Sequence, residues 1–339
     1  MSLPLHDLTT AARPVAGGER IPVLDVGPYF SGEPGALERL AAELDDACRT
    51  IGFHFIVGHG VPQQLVDRVF AENERFHALP LERKLEVRVD ANTVGYLPMS
   101  VGMSRSAAMT GLAKPNANES FFLRNELAPD DPEVLAGKPF RVPNRWPRDL
   151  PGFRDNVLAF FEAMRALAHR LLPVYATALG VAAGHFDAAF ASDRSTLRLA
   201  HYPPAPPDPD RFGSAPHTDG GFMTLLAQAR VPGLEVWSRT DRWLEAPAMA
   251  GAFLVNSGDL LARWTNDRYL STPHRVINRS GGERYSVPFF FNPNLDAMIE
   301  TIPGCIDDAH PARYEPIRYE DYYRKTRFQY AAAPTRDER

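Results

Sequence analysis

From residue 196 onward the chain breaks into short runs that leave no room for a long helix: TLRLAHY, FMTLLAQ, LEVWSR, RWLEA, AFLVN, LLARWT, HRVIN and YSVPFFF, parted by Gly, Pro, Asn and Asp. Short runs rich in β-branched and aromatic residues and closed by turn formers read as strands, and many in succession read as a sandwich or barrel. Each of these runs is expected to be a strand. The C-terminal half is therefore a β structure.

The first half differs in kind. IPVLDV (21–26) is a strand candidate, and the following segment sets Leu37, Leu40, Ala41, Leu44, Ala47, Cys48 and Ile51 at helical spacing. FHFIVGHGVP (53–62) reads as a strand and a turn, and 63–79 as a second amphipathic helix with Leu65, Val66, Val69, Phe70 and Phe76 inward. Residues 95–117 show no period and read as a long loop, whose methionine-rich LPMSVGMSRSAAM is a candidate substrate lid. ESFFLRNE (119–126) is a further strand, and a long support helix covers about 152–180, bent or broken near Pro173. The expected class is mainly β with flanking helices. A helix-rich N-terminal region (1–120) packs on a β core (121–325), PPAPPDPD (203–210) is an exposed connector, and a polar tail (326–339) follows.

Composition narrows the function. A net charge of −5, a pI near 6.1 and the lack of any Lys/Arg cluster argue against nucleic acid as a partner. Hydrophobic content of 44% with 23% charged residues suits a globular chain with a dry core. Two cysteines, Cys48 and Cys305, are too few for a disulfide framework or a thiolate zinc site, and Cys48 lies on an apolar helical stripe as a buried thiol. The N-terminal stretch lacks the basic and apolar regions of a secretory signal, and no apolar run reaches the roughly 18 residues of a membrane span. The expectation is a cytoplasmic protein with no membrane partner. Oligomeric state cannot be read from these features.

One stretch carries chemistry. SAPHTDGGFMTLL (214–226) holds His217-x-Asp219, yet His185-Phe186-Asp187 has the same spacing, and with ten histidines roughly one such pair arises by chance. On a strand, residues i and i+2 share a face, so His217 and Asp219 aim together. His185 and Asp187 fall at a joint between helices, where i and i+2 diverge. A third ligand is available in His274, within STPHRVIN; two histidines and a carboxylate on one face of an iron leave three positions open. Ten residues on, Arg284 and Ser286 share a strand face, a guanidinium fork and a hydroxyl suited to gripping a carboxylate. Pro288 and Phe290 continue that face as an apolar wall. Of the ten histidines only His274 has the full His-x9-Arg-x-Ser pattern; His201 has Arg211 but Gly213 in place of the serine.

These residues resemble the isopenicillin-N-synthase-like non-haem iron(II) and 2-oxoglutarate-dependent oxygenases over about 21–300. GFHFIVGHGVP is similar to that family's GFF-x-x-x-NHG signature, and NESFFLRNE to its Lys-Glu-Ser-Phe segment with Asn118 at the lysine. LAHYPP is similar to its Asn-x-Tyr-Pro stretch and HTDGGFMTLL to its first metal strand. VNSGDLLARWTNDRYLSTPHRVIN and RYSVPFFFNP are similar to its closing part. The resemblance implies a distorted double-stranded β-helix (jelly-roll) core. It implies His217, Asp219 and His274 as iron(II) ligands, with Arg284, Ser286 and the Tyr202 hydroxyl on the distal carboxylate of 2-oxoglutarate. Two departures stand out: Ala200 replaces the asparagine of Asn-x-Tyr, and Gly220 replaces a commonly bulky residue near the metal strand.

The activity implied couples oxidative decarboxylation of 2-oxoglutarate by O2 to hydroxylation, desaturation or cyclisation of a small molecule. Phe121, Leu123 and Phe290 resemble positions lining the substrate pocket, with core packing as the other reading. Arg198 shares a face with Ala200 and Tyr202 and meets either a substrate carboxylate or an ordinary ion-pair partner. Arg284 could instead pair with Glu283, and His54, His59 and His201 read as structural. The alternatives are an oxidase or cyclase of the same fold that needs no 2-oxoglutarate, and a jelly-roll binding protein without catalysis. The identity of the substrate does not follow from these residues.

Overall fold

The computed structural model describes residues 20–99, 116–204, 212–228 and 231–326. The N-terminal leader, most of the expected lid, most of the proline-rich connector and the polar tail lie outside the described residues.

Among the described residues a large sheet joins β1 (Val23–Asp25), β2 (Phe53–Val57), β3 (Gly95–Leu97), β4 (Glu119–Arg124), β5 (Thr196–Tyr202), β7 (Met223–Gln228), β10 (Phe253–Ser257) and β12 (Arg284–Phe291). Their order is β1-β2-β10-β7-β12-β5-β4-β3. A smaller sheet holds β6 (Ser214–His217), β8 (Leu234–Trp237), β9 (Trp243–Glu245) and β11 (His274–Val276), in the order β6-β11-β8-β9. Non-consecutive neighbours in both sheets mark crossovers between layers, the topology of a double-stranded β-helix. The N-terminal part adds helices but also β1, β2 and β3, so it shares the large sheet with the rest of the chain.

Period-two alternation puts each large-sheet strand between two environments. Leu197 and Leu199 of β5, Leu225 of β7, Val255 of β10 and Phe289 of β12 turn to one side. There they pack against α1 (Ala36–Thr50), α2 (Gln63–His77) and α3 (Phe153–Ala178). Ala200 and Tyr202, Phe53 and Phe55, and Leu254 turn the other way and meet Leu234, Val236 and Val276 of the small sheet. The molecule is thus helices, large sheet, small sheet, with a cavity between the two sheets. No helix of the described residues is long and apolar enough to cross a membrane.

Three expectations are corrected. LLARWT is not a strand: Asp259–Trp264 is a short helix, α4, with Leu260, Leu261, Ala262 and Trp264 all buried. A strand would have sent alternate members of that run to opposite faces. α3 is not broken at Pro173 but runs on through it. The proline removes one ladder bond at a cost of about 3 kcal/mol, which the burial of Leu171, Leu172, Val174 and Tyr175 around it offsets. The loop expected from 95 begins instead with β3, which pairs Gly95 with Phe122 and Leu97 with Ser120.

The helix side also holds a buried polar network. Glu119 accepts from Lys84 Nζ (2.8 Å), the Tyr96 hydroxyl and His201 Nδ1 (2.8 Å). Burial opposes ionisation of Glu119, but the hydrogen bonds from His201, Lys84 and Tyr96 outweigh it and hold the carboxyl at about 2. Asn73 of α2 donates to the carbonyls of Ala200 (3.2 Å) and Ser286 (3.4 Å), tying that helix to the backs of β5 and β12.

Candidate metal centre

β6 and β11 pair antiparallel with His217 directly opposite His274. Opposed residues on paired strands project to the same side about 5 Å apart at Cβ, and the two rings lie 4.3 Å apart between centroids. Register therefore brings together two histidines far apart in sequence. Asp219 arrives differently: β6 ends at His217, so its aim comes from the turn that follows rather than from strand alternation. That turn passes so close to Gly258 that a Cβ there would meet the carbonyl of Gly221 at 2.4 Å and that of Asp219 at 2.7 Å.

Hydrogen bonds set each donor atom. His217 Nδ1 faces the carbonyl of Ala215 at 2.8 Å and His274 Nδ1 that of Thr272 at 3.2 Å. A carbonyl only accepts, so each Nδ1 carries the hydrogen and each Nε2 presents a bare lone pair. Asp219 Oδ2 accepts from Thr224 Oγ1 (2.6 Å) and Asn256 Nδ2 (2.9 Å). Its Oδ1 is left 3.9 Å from His217 Nε2 and 3.7 Å from His274 Nε2. All three ligand atoms lie within 4.8 Å of one another. Phe53 of β2 lies edge-on against the His274 ring at 5.4 Å.

The protonation states suit a cation. Burial, then the nearby His274, pushes His217 down to about 4, with Arg198 a smaller contributor in the same direction. For Asp219, burial acts upward, but His274, His217 and the bonds from Thr224 and Asn256 hold the carboxyl below its ordinary range. His217 and Asp219 thus offer a neutral imidazole and a carboxylate, and His274 turns its Nε2 to the same cavity-side point.

Across the cavity, Arg284 is register partner of Tyr202, with its guanidinium carbon 4.8 Å from the centre of that ring. The side chain is 1% exposed, and among the described residues Nε and Nη1 have no hydrogen-bond partner. Glu283 is not its counter-ion: adjacent strand residues face opposite ways, and Glu283 bonds His201 Nε2 at 2.5 Å on the helix side. Ser286 lies on the same face as Arg284, and both line the cavity that His217, Asp219 and His274 line. A buried guanidinium without a carboxylate costs stability, so its geometry fits an anion that is not part of the chain.

Of the remaining expected pocket residues, Phe290 and Arg198 line the cavity. Phe121 and Leu123 do not. The Phe121 ring packs at 4.7 Å on Phe76 and 5.6 Å on Phe153, and Leu123 lies in the same helix-side core. The alternation in β4 sends Ser120 and Phe122 inward instead, opposite Ala200 and Arg198. Arg198 has no ion-pair partner among the described residues; Ser120 Oγ (2.7 Å) and Asn118 Oδ1 (2.8 Å) accept from it. His185 lies elsewhere, against Phe186.

Thr224, Asn256 and Phe53 were not singled out in the sequence. Asn256 had a signal, a lone amide in the otherwise apolar FLVN, since a buried polar group needs a partner. Asn256→Ala frees Asp219 to turn and is expected to weaken metal binding by about 10–100-fold, the usual cost of losing a ligand's hydrogen-bond partner. Chelator competition with zinc or manganese measures it, and unchanged affinity would mean that Thr224 alone orients the carboxylate.

Residues 194–293 match the 2OG-Fe(II) oxygenase superfamily, and residues 21–149 match the N-terminal region described as non-haem dioxygenase in morphine synthesis. The 2-oxoglutarate-Fe(II) type oxidoreductase hxnY of Emericella nidulans is 36% identical over 89% of this chain and 88% of its own. The 2-oxoglutarate-dependent dioxygenase citB of Monascus ruber is 37% identical over 83% and 87%. The crystal structure of a full-length Neurospora crassa protein in complex with alpha-KG and thymine aligns with a TM-score of 0.80 at 29% identity, over 92% of this chain and 97% of that one. JOX2 in complex with 2OG, Fe and JA aligns with a TM-score of 0.73 at 29% identity, over 97% and 90%.

Proposed function

The chain belongs to the 2OG-Fe(II) oxygenase superfamily, and from that premise we propose that His217, Asp219 and His274 hold iron(II) while Arg284, Ser286 and Tyr202 grip 2-oxoglutarate. The protein is an Fe(II)/2-oxoglutarate-dependent dioxygenase. Iron(II) and 2-oxoglutarate together supply the oxidising chemistry: O2 is consumed, the cosubstrate loses CO2 to become succinate, and one oxygen atom goes to the substrate. Hydroxylation of a small molecule is the reaction proposed, with desaturation or cyclisation as variants set by how the substrate lies.

The chain's residues orient and exclude. His217, Asp219 and His274 would hold the iron from one side and would leave the cavity side for cosubstrate and O2. Thr224 and Asn256 hold Asp219 so that Oδ1 alone turns to the metal. Arg284, buried beside the Tyr202 hydroxyl and Ser286, neutralises the distal carboxylate. Phe53, Leu226 and Phe290 keep water from the reacting centre. Phe290 and Arg198 are proposed to contact the substrate.

The observation that carries this reading is the buried Arg284, lacking a carboxylate partner among the described residues and facing the same cavity as three convergent side chains that could hold a metal. A 2-oxoglutarate-independent oxidase is not favoured: the relatives are named for 2-oxoglutarate, and the Neurospora crassa protein and JOX2 bind it in crystals. Iron loaded without oxygen, then air and 2-oxoglutarate, should release succinate slowly even without substrate and faster with one from a metabolite panel. Oxygen uptake with no requirement for 2-oxoglutarate would overturn the assignment.

A further inference from the structure

Arg198 is a cation in the catalytic cavity whose charge nothing described in the chain cancels. Its Nε donates to Ser120 Oγ at 2.7 Å and its Nη2 to Asn118 Oδ1 at 2.8 Å, both neutral acceptors. Asn118 cannot turn away, because its Nδ2 donates to the carbonyl of Gly213. The Phe122 ring lies 5.5 Å from the guanidinium carbon. Three neutral neighbours therefore hold the guanidinium in one place without neutralising its charge, and among the described residues no bond is made by Nη1. The half-buried guanidinium thus turns a fixed, unneutralised charge to the cavity.

The charges of the loaded site can be summed. Asp219 (−1) and Arg284 (+1) cancel, and iron(II) (+2) cancels 2-oxoglutarate (−2). An imidazole that ligates a metal through Nε2 while its Nδ1 donates to a carbonyl adds no charge, so His217 and His274 contribute none. Arg198 is left over with one positive charge. We propose that Arg198 selects the substrate by binding a single carboxylate, so that the enzyme oxidises a small monocarboxylic acid whose apolar body rests against Phe290 and Leu226. This rests on the reading of the site as an iron and 2-oxoglutarate centre. A planar, fixed guanidinium pairs best with a planar carboxylate, and one unmatched charge calls for one anion.

The test is equilibrium binding to the zinc-substituted protein with saturating 2-oxoglutarate. The probes are benzoate, phenylacetate, cinnamate and octanoate, each paired with its primary amide. Wild type is expected to bind at least one of the acids, and to bind it at least about tenfold more tightly than the matching amide, the worth of one charge-assisted contact. Arg198→Met should erase that preference, Arg198→Lys should keep part of it, and both should hold 2-oxoglutarate within about twofold of wild type. Amides binding as well as acids, no acid binding to wild type, or an undiminished preference in Arg198→Met would each overturn the proposal. So would a loss confined to 2-oxoglutarate affinity, which would make Arg198 part of the cosubstrate grip. If 2-oxoglutarate itself fails to bind zinc-loaded wild type, the failure belongs to the functional reading beneath.

Discussion

His274→Ala is expected to lower iron-dependent succinate release by at least roughly 10³-fold, since losing a mere hydrogen-bond partner of a ligand already costs about 10–100-fold in affinity or activity. The fold should survive. Without metal, the His274 ring contributes an edge contact to Phe53 and lies 4.3 Å from a second buried imidazole, so little packing is lost. Melting of the metal-free variant should fall by no more than about 4 °C, the equivalent of roughly 1 kcal/mol in a large domain. His217→Ala should behave alike, but Asp219→Ala should not. Removing that carboxylate leaves the buried donors Thr224 and Asn256 unpaired, at about 1–3 kcal/mol. Zinc or manganese should raise the melting temperature of wild type, since an ion that binds only the native state stabilises it, and should do so for none of the three variants. His274→Ala that keeps this metal-induced rise would remove His274 from the coordination sphere.

How far such a site can be read from sequence depends on which force places each residue. The inward faces of β5 and β12 were legible because alternation is local: Arg198, Ala200 and Tyr202, like Arg284 and Ser286, follow from a period of two. Alternation failed in β4, where ESFFLR is buried on both faces. When every residue is buried, apolar character no longer marks a side, so pocket lining and core packing were both open for Phe121 and Leu123, which face the helices. LLARWT failed for a related reason, since a short apolar run fits a buried helix as well as a strand. His217 and Asp219 do converge, but strand alternation alone does not explain it, because Asp219 is aimed by a turn packed against Gly258. The opposition of His217 and His274 is a matter of strand register, which spacing along one chain does not encode. Thr224 and Asn256 act on Asp219 from β7 and β10, and contacts between strands are likewise invisible until the strands are placed.

Arg284→Met is expected to raise the apparent KM for 2-oxoglutarate by about 30- to several-thousand-fold, because breaking a buried, hydrogen-bonded charge pair costs about 2–5 kcal/mol and each 1.4 kcal/mol is tenfold. The same substitution should stabilise the ligand-free protein. Arg284 is 1% exposed, its Nε and Nη1 lack partners among the described residues, and burial drags its guanidinium below its usual value against the opposing Tyr202 contact. A charge in that state costs folding energy that a methionine of similar volume does not. The two effects have opposite signs, and this separates a binding role from a structural one. Wild type should melt lower than Arg284→Met without ligand and gain stability as 2-oxoglutarate is added, following RT ln(1 + [L]/Kd). The variant should start higher and gain almost nothing. Arg284→Lys keeps the charge but loses the fork, so it should fall between the two in cosubstrate affinity. A variant that melts lower than wild type while its KM for 2-oxoglutarate is unchanged would show that Arg284 holds β12 to Tyr202 and leave the distal carboxylate without its proposed partner.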